Sequence, residues 1–260
     1  PLLKRMLTNF AGPMNNFILG IAVFIAIAFV QGGVTVNESR LGEIQPDSPA
    51  EAAGLRENDE VLAVNGDATA DWTELVTSIQ ANPGNQITLT VVTDGEEARD
   101  VLVTPDTKTD EQGNEYGLIG VAVPMNRTLM AKISYGFKEF WVIATSIFGL
   151  VFAMFRTGFQ ADSFGGPVAI YAATEQVVDY GFLSVLSFLA YLSINLGVVN
   201  LLPIPALDGG KLLLNLVEGI RGKPLDPEKE GIITAIGMGL LLLLMVIVTW
   251  NDIQRFFFGQ

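Results

Sequence analysis

Three long stretches of the chain carry no charged residue: Met6–Asn37, Tyr180–Leu207 and Gly231–Asn251. Each holds about 20 predominantly apolar residues, enough for a helix rising about 1.5 Å per residue to cross a hydrocarbon core of about 30 Å. Soluble cores rarely need such runs, and the pattern predicts a polytopic α-helical membrane protein. A fourth run, Phe140–Phe155, has 16 residues and makes about 24 Å of helix, short for a span. Between Asn37 and this run the periodicity changes to short alternating segments punctuated by turns, as in a folded polar insert.

Residues 41–104 of the insert read as a small α/β module. "LGEIQPDSPAEAAGL" opens with a short strand and continues with Ser48 as a helix N-cap, Pro49 at the first helical position and Glu51 at the third, a capping-box arrangement. Gly54 then suits a C-cap. "DEVLAVNGDA" alternates into Asn65-Gly66, a strong hairpin signal. Trp72, Leu75, Val76 and Ile79 have helical spacing, and Pro83-Gly84 ends that helix. "QITLTVVTDGEEARDVLVTP" reads as two alternating strands joined at Asp94-Gly95. A polar exit loop follows at 104–117.

Charge locates the insert. Gln31 to Tyr180 holds 22 acids and 8 bases, a net of −14 against −13 for the whole chain. An acidic domain of this kind does not suggest nucleic acid or anionic lipid as a partner. Lys4 and Arg5 precede the first span, whereas Lys211, Arg221, Lys223 and Lys229 lie between the second and third runs. By the positive-inside rule both groups are cytoplasmic and the insert lies outside. That requires one span between insert and basic loop, which predicts three spans and lays Phe140–Phe155 flat on the outer membrane surface. There is no cysteine, hence no disulfide or thiolate metal site, and there is no histidine. The chain opens on "PLLKRM", which lacks the pattern of a cleaved signal peptide and reads as a chain whose beginning is missing.

Two motifs sit in or near the membrane. "FAGPMNNFILG" places Gly12-Pro13 at the start of the first span, with Asn15-Asn16 close behind. Asparagine in a span forms interhelical hydrogen bonds or caps a helix. "NLLPIPALDGGK" ends the second run. Pro203 and Pro205 lack an N–H and exclude the preceding residue from α conformation, so the helix must stop near Leu202. Irregular backbone at membrane depth is tolerated where it is buried in protein or lines a cavity. Asp208 either caps the helix that starts near Gly209 or is an intramembrane carboxylate of the costly, functional kind. Gly209-Gly210 lets another backbone approach closely.

The insert resembles a bacterial PDZ domain in its "SPAEAAGL" and "DEVLAVNG" stretches. Such domains add an extended peptide beside a strand, expected here at Leu41, Gly42, Glu43 and Ile44; a PDZ fold can also act as a size filter with nothing in its groove. With "GP..NF", "GGPVAI" at 165–170 and "N..P.P.LDGG" at 200–210, the whole chain resembles the site-2 protease family, the bacterial intramembrane zinc metalloproteases of regulated proteolysis. The resemblance implies that Asp208 is the third zinc ligand, and that Asn200, with Pro203, Pro205 and Asn16, handles the substrate backbone. Lys211 stands where the family often has His. The family's H-E-x-x-H motif, which supplies two ligands and the general base, is absent. The expectation is truncation before that helix and an inactive chain as it stands. Implied substrates are single-span proteins already shortened outside, such as anti-sigma factors or signal-peptide remnants, met in the lipid of the bacterial inner membrane.

The expected organisation is a membrane segment at 1–37, a PDZ domain at 38–107 and connecting strands at 108–131. Then come a membrane-surface amphipathic helix with the GGP loop at 132–179, a span at 180–211, a cytoplasmic loop at 212–230 and a last span at 231–260. Two other classes fit parts of the sequence. A membrane-tethered PDZ adaptor that binds C-termini explains 41–104 but leaves Asn200, Pro203, Pro205 and Asp208 unexplained. A cation or proton pathway would use an intramembrane carboxylate, but the chain shows one such group and no inverted repeat.

Overall fold

The computed structural model describes residues 2–94, 96–110, 112–158 and 165–257. The chain begins with α1 (Leu2–Val30) and enters the insert through β1 (Val34–Thr35), α2 (Pro49–Ala52), β2 (Glu60–Val64) and β3 (Asp67–Ala68). The insert continues with α3 (Trp72–Gln80), β4 (Ile87–Val92), β5 (Arg99–Val103), β6 (Asp106–Thr109), β7 (Glu115–Leu118) and β8 (Met125–Asn126). Five helices complete the described chain: α4 (Leu129–Thr157), α5 (Pro167–Asp179), α6 (Phe182–Leu201), α7 (Asp208–Arg221) and α8 (Pro227–Phe257). They form two compact units, Gly32–Ala131 and Pro1–Gln31 with Lys132–Gln260.

The insert is an α/β domain. Its antiparallel sheet runs β3-β2-β4-β5, with α3 covering one face. Alternation along β4 decides that face: Ile87, Leu89 and Val91 point inward and are buried with Leu75 and Ile79 of α3. The expected cap forms, with Glu51 N donating to Ser48 Oγ at 3.2 Å. The Glu51 carboxylate reaches one residue beyond the N-cap and accepts from Asp47 N at 2.7 Å. Asn65 and Gly66 take φ of 53° and 88°, as a tight primed hairpin turn demands. Asp59, fully buried, accepts from Arg56 N, Thr93 Oγ1 and Arg99 Nη2.

The domain extends beyond the expected boundaries of 38–107. Ile119 is buried in the same core as Leu41 and Leu75. Residues 42–45 pair with 120–122, and β1 pairs with β8. The stretch 108–131 is therefore part of the domain rather than a connector. Its contribution is long-range pairing, which local periodicity does not carry.

In the helical unit, α1 and α6 are antiparallel. Gly20 of α1 faces Ala190 and Ile194, Pro13 and Phe17 face Gly197, and Gly12 faces Asp208. Phe17, Phe24 and Ile27 are buried with Ala190, Ile194 and Val198, and with Ile143, Ala144 and Ile147 of α4. Apolar side chains of α8, including Ile236, Leu240, Leu243 and Val246, point outward. Exposed apolar surface on that scale suits lipid.

Four helices, rather than three, are long and apolar enough to cross a membrane: α1, α4, α6 and α8. The expectation that 140–155 lies flat is not what the structure shows. The helix starts at Leu129 and runs antiparallel along α1, with Lys132 over the Phe29 ring, Tyr135 against Phe24 and Phe140 against Phe17. Lys132, Lys138 and Glu139 interrupt the charge-free run without interrupting the helix. Since α4 and α6 both oppose α1, they run parallel. At 13 residues, α5 is too short to span a membrane.

Candidate functional site at a broken membrane helix

The prolines end α6 where expected. Leu202 is extended, with φ −61° and ψ 143°, and its N–H still bonds Val199 O at 3.0 Å. The loop then tightens through Ile204 N to Leu202 O, 2.7 Å, and Leu207 N to Ile204 O, 3.1 Å. Ala206 sits at φ 87°, a left-handed conformation that costs a residue with a Cβ and signals strain within the loop.

Three sets of glycines let backbone close around this loop. A Cβ on Gly209 would stand 2.2 Å from Leu201 O, and one on Gly210 would stand 2.2 Å from Ile204 O. On α8, a Cβ at Gly237 would stand 2.0 Å from Pro205 O. On α1, a Cβ at Gly12 would stand 3.0 Å from Asp208 Oδ2. The Gly-Pro motif of α1, the break after α6 and the middle of α8 thus meet at one place.

Asp208 is not the helix cap. Leu207 holds the N-cap position of α7 with no side-chain capping bond. The charged partner of Asp208 among the described residues is Lys211, Nζ to Oδ1 3.9 Å, in a pair left 45% and 31% exposed. Asn200 is half-buried, and its amide bonds no described residue. Asn16 is half-buried; its main-chain carbonyl accepts from Ser193 Oγ at 3.0 Å, and its side chain also has no described partner. Asn16 follows Gly12 by four residues, on the same face of α1.

A carboxylate at the positive end of a helix, with spare lone pairs, fits one metal ligand. The described residues hold no cluster of three His, Cys, Asp or Glu, and the chain has neither His nor Cys. Catalytic zinc takes about three protein ligands. The donors among the described residues fall short of that number.

"GGPVAI" lies elsewhere. Gly166 is the N-cap of α5, and a Cβ there would stand 2.7 Å from Asp252 Oδ2. Sequence reasoning missed Asp252, which follows directly on the charge-free run Gly231–Asn251. It also missed Glu218, which is buried at the start of α1 against Arg5 and accepts from Leu225 N at 2.8 Å. The Leu225 N–H and the Arg5 guanidinium hold the Glu218 carboxyl below the usual carboxylate range, against the opposing effect of desolvation.

The expected strand-addition edge is also corrected. Leu41 exchanges bonds with Asn58 N and Asp59 O on one side, and Gly42 and Glu43 pair with Ala122 on the other. The domain's own backbone thus takes up pairing positions along 41–44 that a peptide would need. An apolar groove of about 50 Å³ lies instead between Trp72, Val76 and Ile79 of α3 and residues 117–121.

The sequence matches the profile of peptidase family M50 over residues 1–244. The chain belongs to peptidase family M50. It is 47% identical over 258 residues to a probable protease, eep, of Enterococcus faecalis. Identity is 44% with the zinc metalloprotease RasP of Geobacillus kaustophilus and 38% with the regulator of sigma-W protease RasP of Bacillus subtilis. These alignments cover 98 to 99% of this chain and 60% of each relative. Solved PDZ domains of SdrC-like proteins from Listeria monocytogenes and Listeria innocua align with 35% of this chain and with 90% and 97% of theirs. Their identities are 19% and 18%, with TM-scores of 0.28 and 0.29.

Proposed function

We propose that this chain is the substrate-handling part of an intramembrane zinc metalloprotease that cuts pre-shortened membrane proteins within their spans. The observation that carries this is Asp208, released from capping and set beside a helix unwound at membrane depth. Asp208 contributes one ligand, and the other ligands and the general base come from residues outside this chain. Zinc, when bound, acidifies a water and polarises the scissile carbonyl.

The chain's own residues handle the substrate backbone. A span must unwind to be cut, and each freed N–H or C=O in lipid costs several kcal/mol, on the order of 2–7, unless it is paired. Asn200 and Asn16, whose amides bond no described residue, can each offer both a donor and an acceptor, and Pro203 and Pro205 keep the 202–207 loop out of the helix. The start of α1 and α7 lie at one end of the bundle, joined by Arg5 and Glu218. Their basic residues support a cytoplasmic side for that end and an extracytoplasmic PDZ domain by the positive-inside rule, and the groove or bulk of that domain would select substrates. The name of the Bacillus subtilis relative supports anti-sigma factors as one substrate class; signal-peptide remnants are a second.

The test uses the intact protein in bilayers with a single-span substrate stripped of its ectodomain. Cleavage inside the span is expected, lost with a zinc chelator and lost with Asp208→Ala. A PDZ adaptor would bind the substrate and cut nothing.

A further inference from the structure

The last helix carries a buried carboxylate that the substrate-handling reading does not use. Asp252 is 3% exposed near the end of α8, where the apolar run gives way to a turn that also holds Thr249, Asn251, Gln254 and Arg255. Its Oδ2 accepts from Ala169 N at 3.0 Å, in the first turn of α5. Gly166, the N-cap of that helix, is buried, and any side chain there would press on the same oxygen. Pro167 follows at the first helical position, where no N–H is lost. The Gly-Gly-Pro motif is therefore the seat of a carboxylate supplied from about 80 residues away, satisfying a donor that α5 cannot pair itself.

α5 needs such a tie. It has no buried residue, and Gly166 itself makes no side-chain cap. It packs on α6 and α8, the helix that ends at Asn200 and the helix whose Gly237 receives Pro205. Among the described residues, Asp252 is the polar side chain on another helix that holds α5.

We propose that Asp252 is a positioning residue for proteolysis: its carboxylate pins the first turn of α5 to α8 and keeps α5 seated beside the helices that hold the 202–207 loop. The link to proteolysis rests on the reading of that loop as substrate-handling. The pin itself does not.

These 260 residues hold no cysteine, so Ala169→Cys in the intact membrane-embedded protein, with any cysteine elsewhere in it replaced by serine, gives a single reporter in the half-buried first turn. Its labelling rate by a small maleimide reads the seating of α5 without turnover. Asp252→Ala should raise that rate about tenfold and lower kcat/KM for a single-span substrate by a similar factor, with zinc content and membrane insertion unchanged. Asp252→Asn keeps an oxygen acceptor for the Ala169 N–H and should stay within about threefold of wild type in both readouts. Gly166→Ala, which crowds the carboxylate without removing it, should reproduce Asp252→Ala and guards against simple misfolding of the aspartate variant.

Unchanged labelling in Asp252→Ala and Gly166→Ala would overturn the pin. Faster labelling with undiminished cleavage would overturn the positioning role, and so would Asp252→Asn behaving like Asp252→Ala. Failure of the loop reading shows separately, as an Asp208→Ala variant that keeps its zinc while labelling still responds to Asp252.

Discussion

At the scale of single residues, Asn200 separates the two readings of a polar group in a membrane helix. An asparagine that packs helices would have a partner on another helix, and this amide has none among the described residues. Replacing it with alanine should therefore slow cleavage of a helix-stable span by on the order of tenfold, the worth of about one net hydrogen bond. A span with Gly or Pro near the scissile bond should lose less. Equal losses for the two substrates, with a lowered melting temperature, would make Asn200 a packing residue. The proline stop, the unusual Asp208 and the asparagines were legible because each breaks a local rule of membrane helices. Asp252 and Glu218 were not. Their meaning lies in partners 83 and 213 positions away, a distance no periodicity reports.

At the scale of elements, the site depends on backbones meeting without side chains between them. Gly209→Ala sets a methyl against the Leu201 carbonyl, and Gly237→Ala sets one against that of Pro205. Each neighbour is backbone, which gives little, and such overpacking costs about 1–3 kcal/mol. Both variants should melt earlier in detergent, whereas Gly239→Ala, which meets open space, should not. The tie between α7 and α1 predicts a pH effect. A carboxylate with a lowered folded pKa stabilises above its unfolded value of about 4.3 and loses that contribution as pH falls through the folded one. Thermal stability should therefore drop between about pH 5 and pH 3 by more in wild type than in Glu218→Gln. Equal drops would detach Glu218 from the fold's acid response. The helices were legible from length and apolarity, except that Lys132, Lys138 and Glu139 hid the first turns of α4. The expected surface helix with a GGP loop at 132–179 resolves into α4 and α5, because Gly165, Gly166 and Pro167 open a separate helix whose first turn Asp252 meets.

At the scale of the whole molecule, the insert is a domain with its own core, larger than its motifs suggested. Residues 32–131 alone should unfold cooperatively. Residues 38–107 alone should not, because they lack Ile119 and the strand that pairs with 42–45; losing one such buried aliphatic side chain costs about 2–5 kcal/mol. Circular dichroism during thermal melting of the two fragments checks this, and a cooperative transition in the shorter one would restore the narrower boundary. The helical unit bears the central claim, that Asp208 is a ligand and not a cap. Bound zinc per chain, measured by elemental analysis of the intact protein after membrane extraction, tests it most directly. The account predicts about one zinc per chain in wild type and a small fraction of that in Asp208→Ala, at equal yield and insertion, because supporting contacts do not replace a lost ligand. Undiminished zinc in that variant would contradict it.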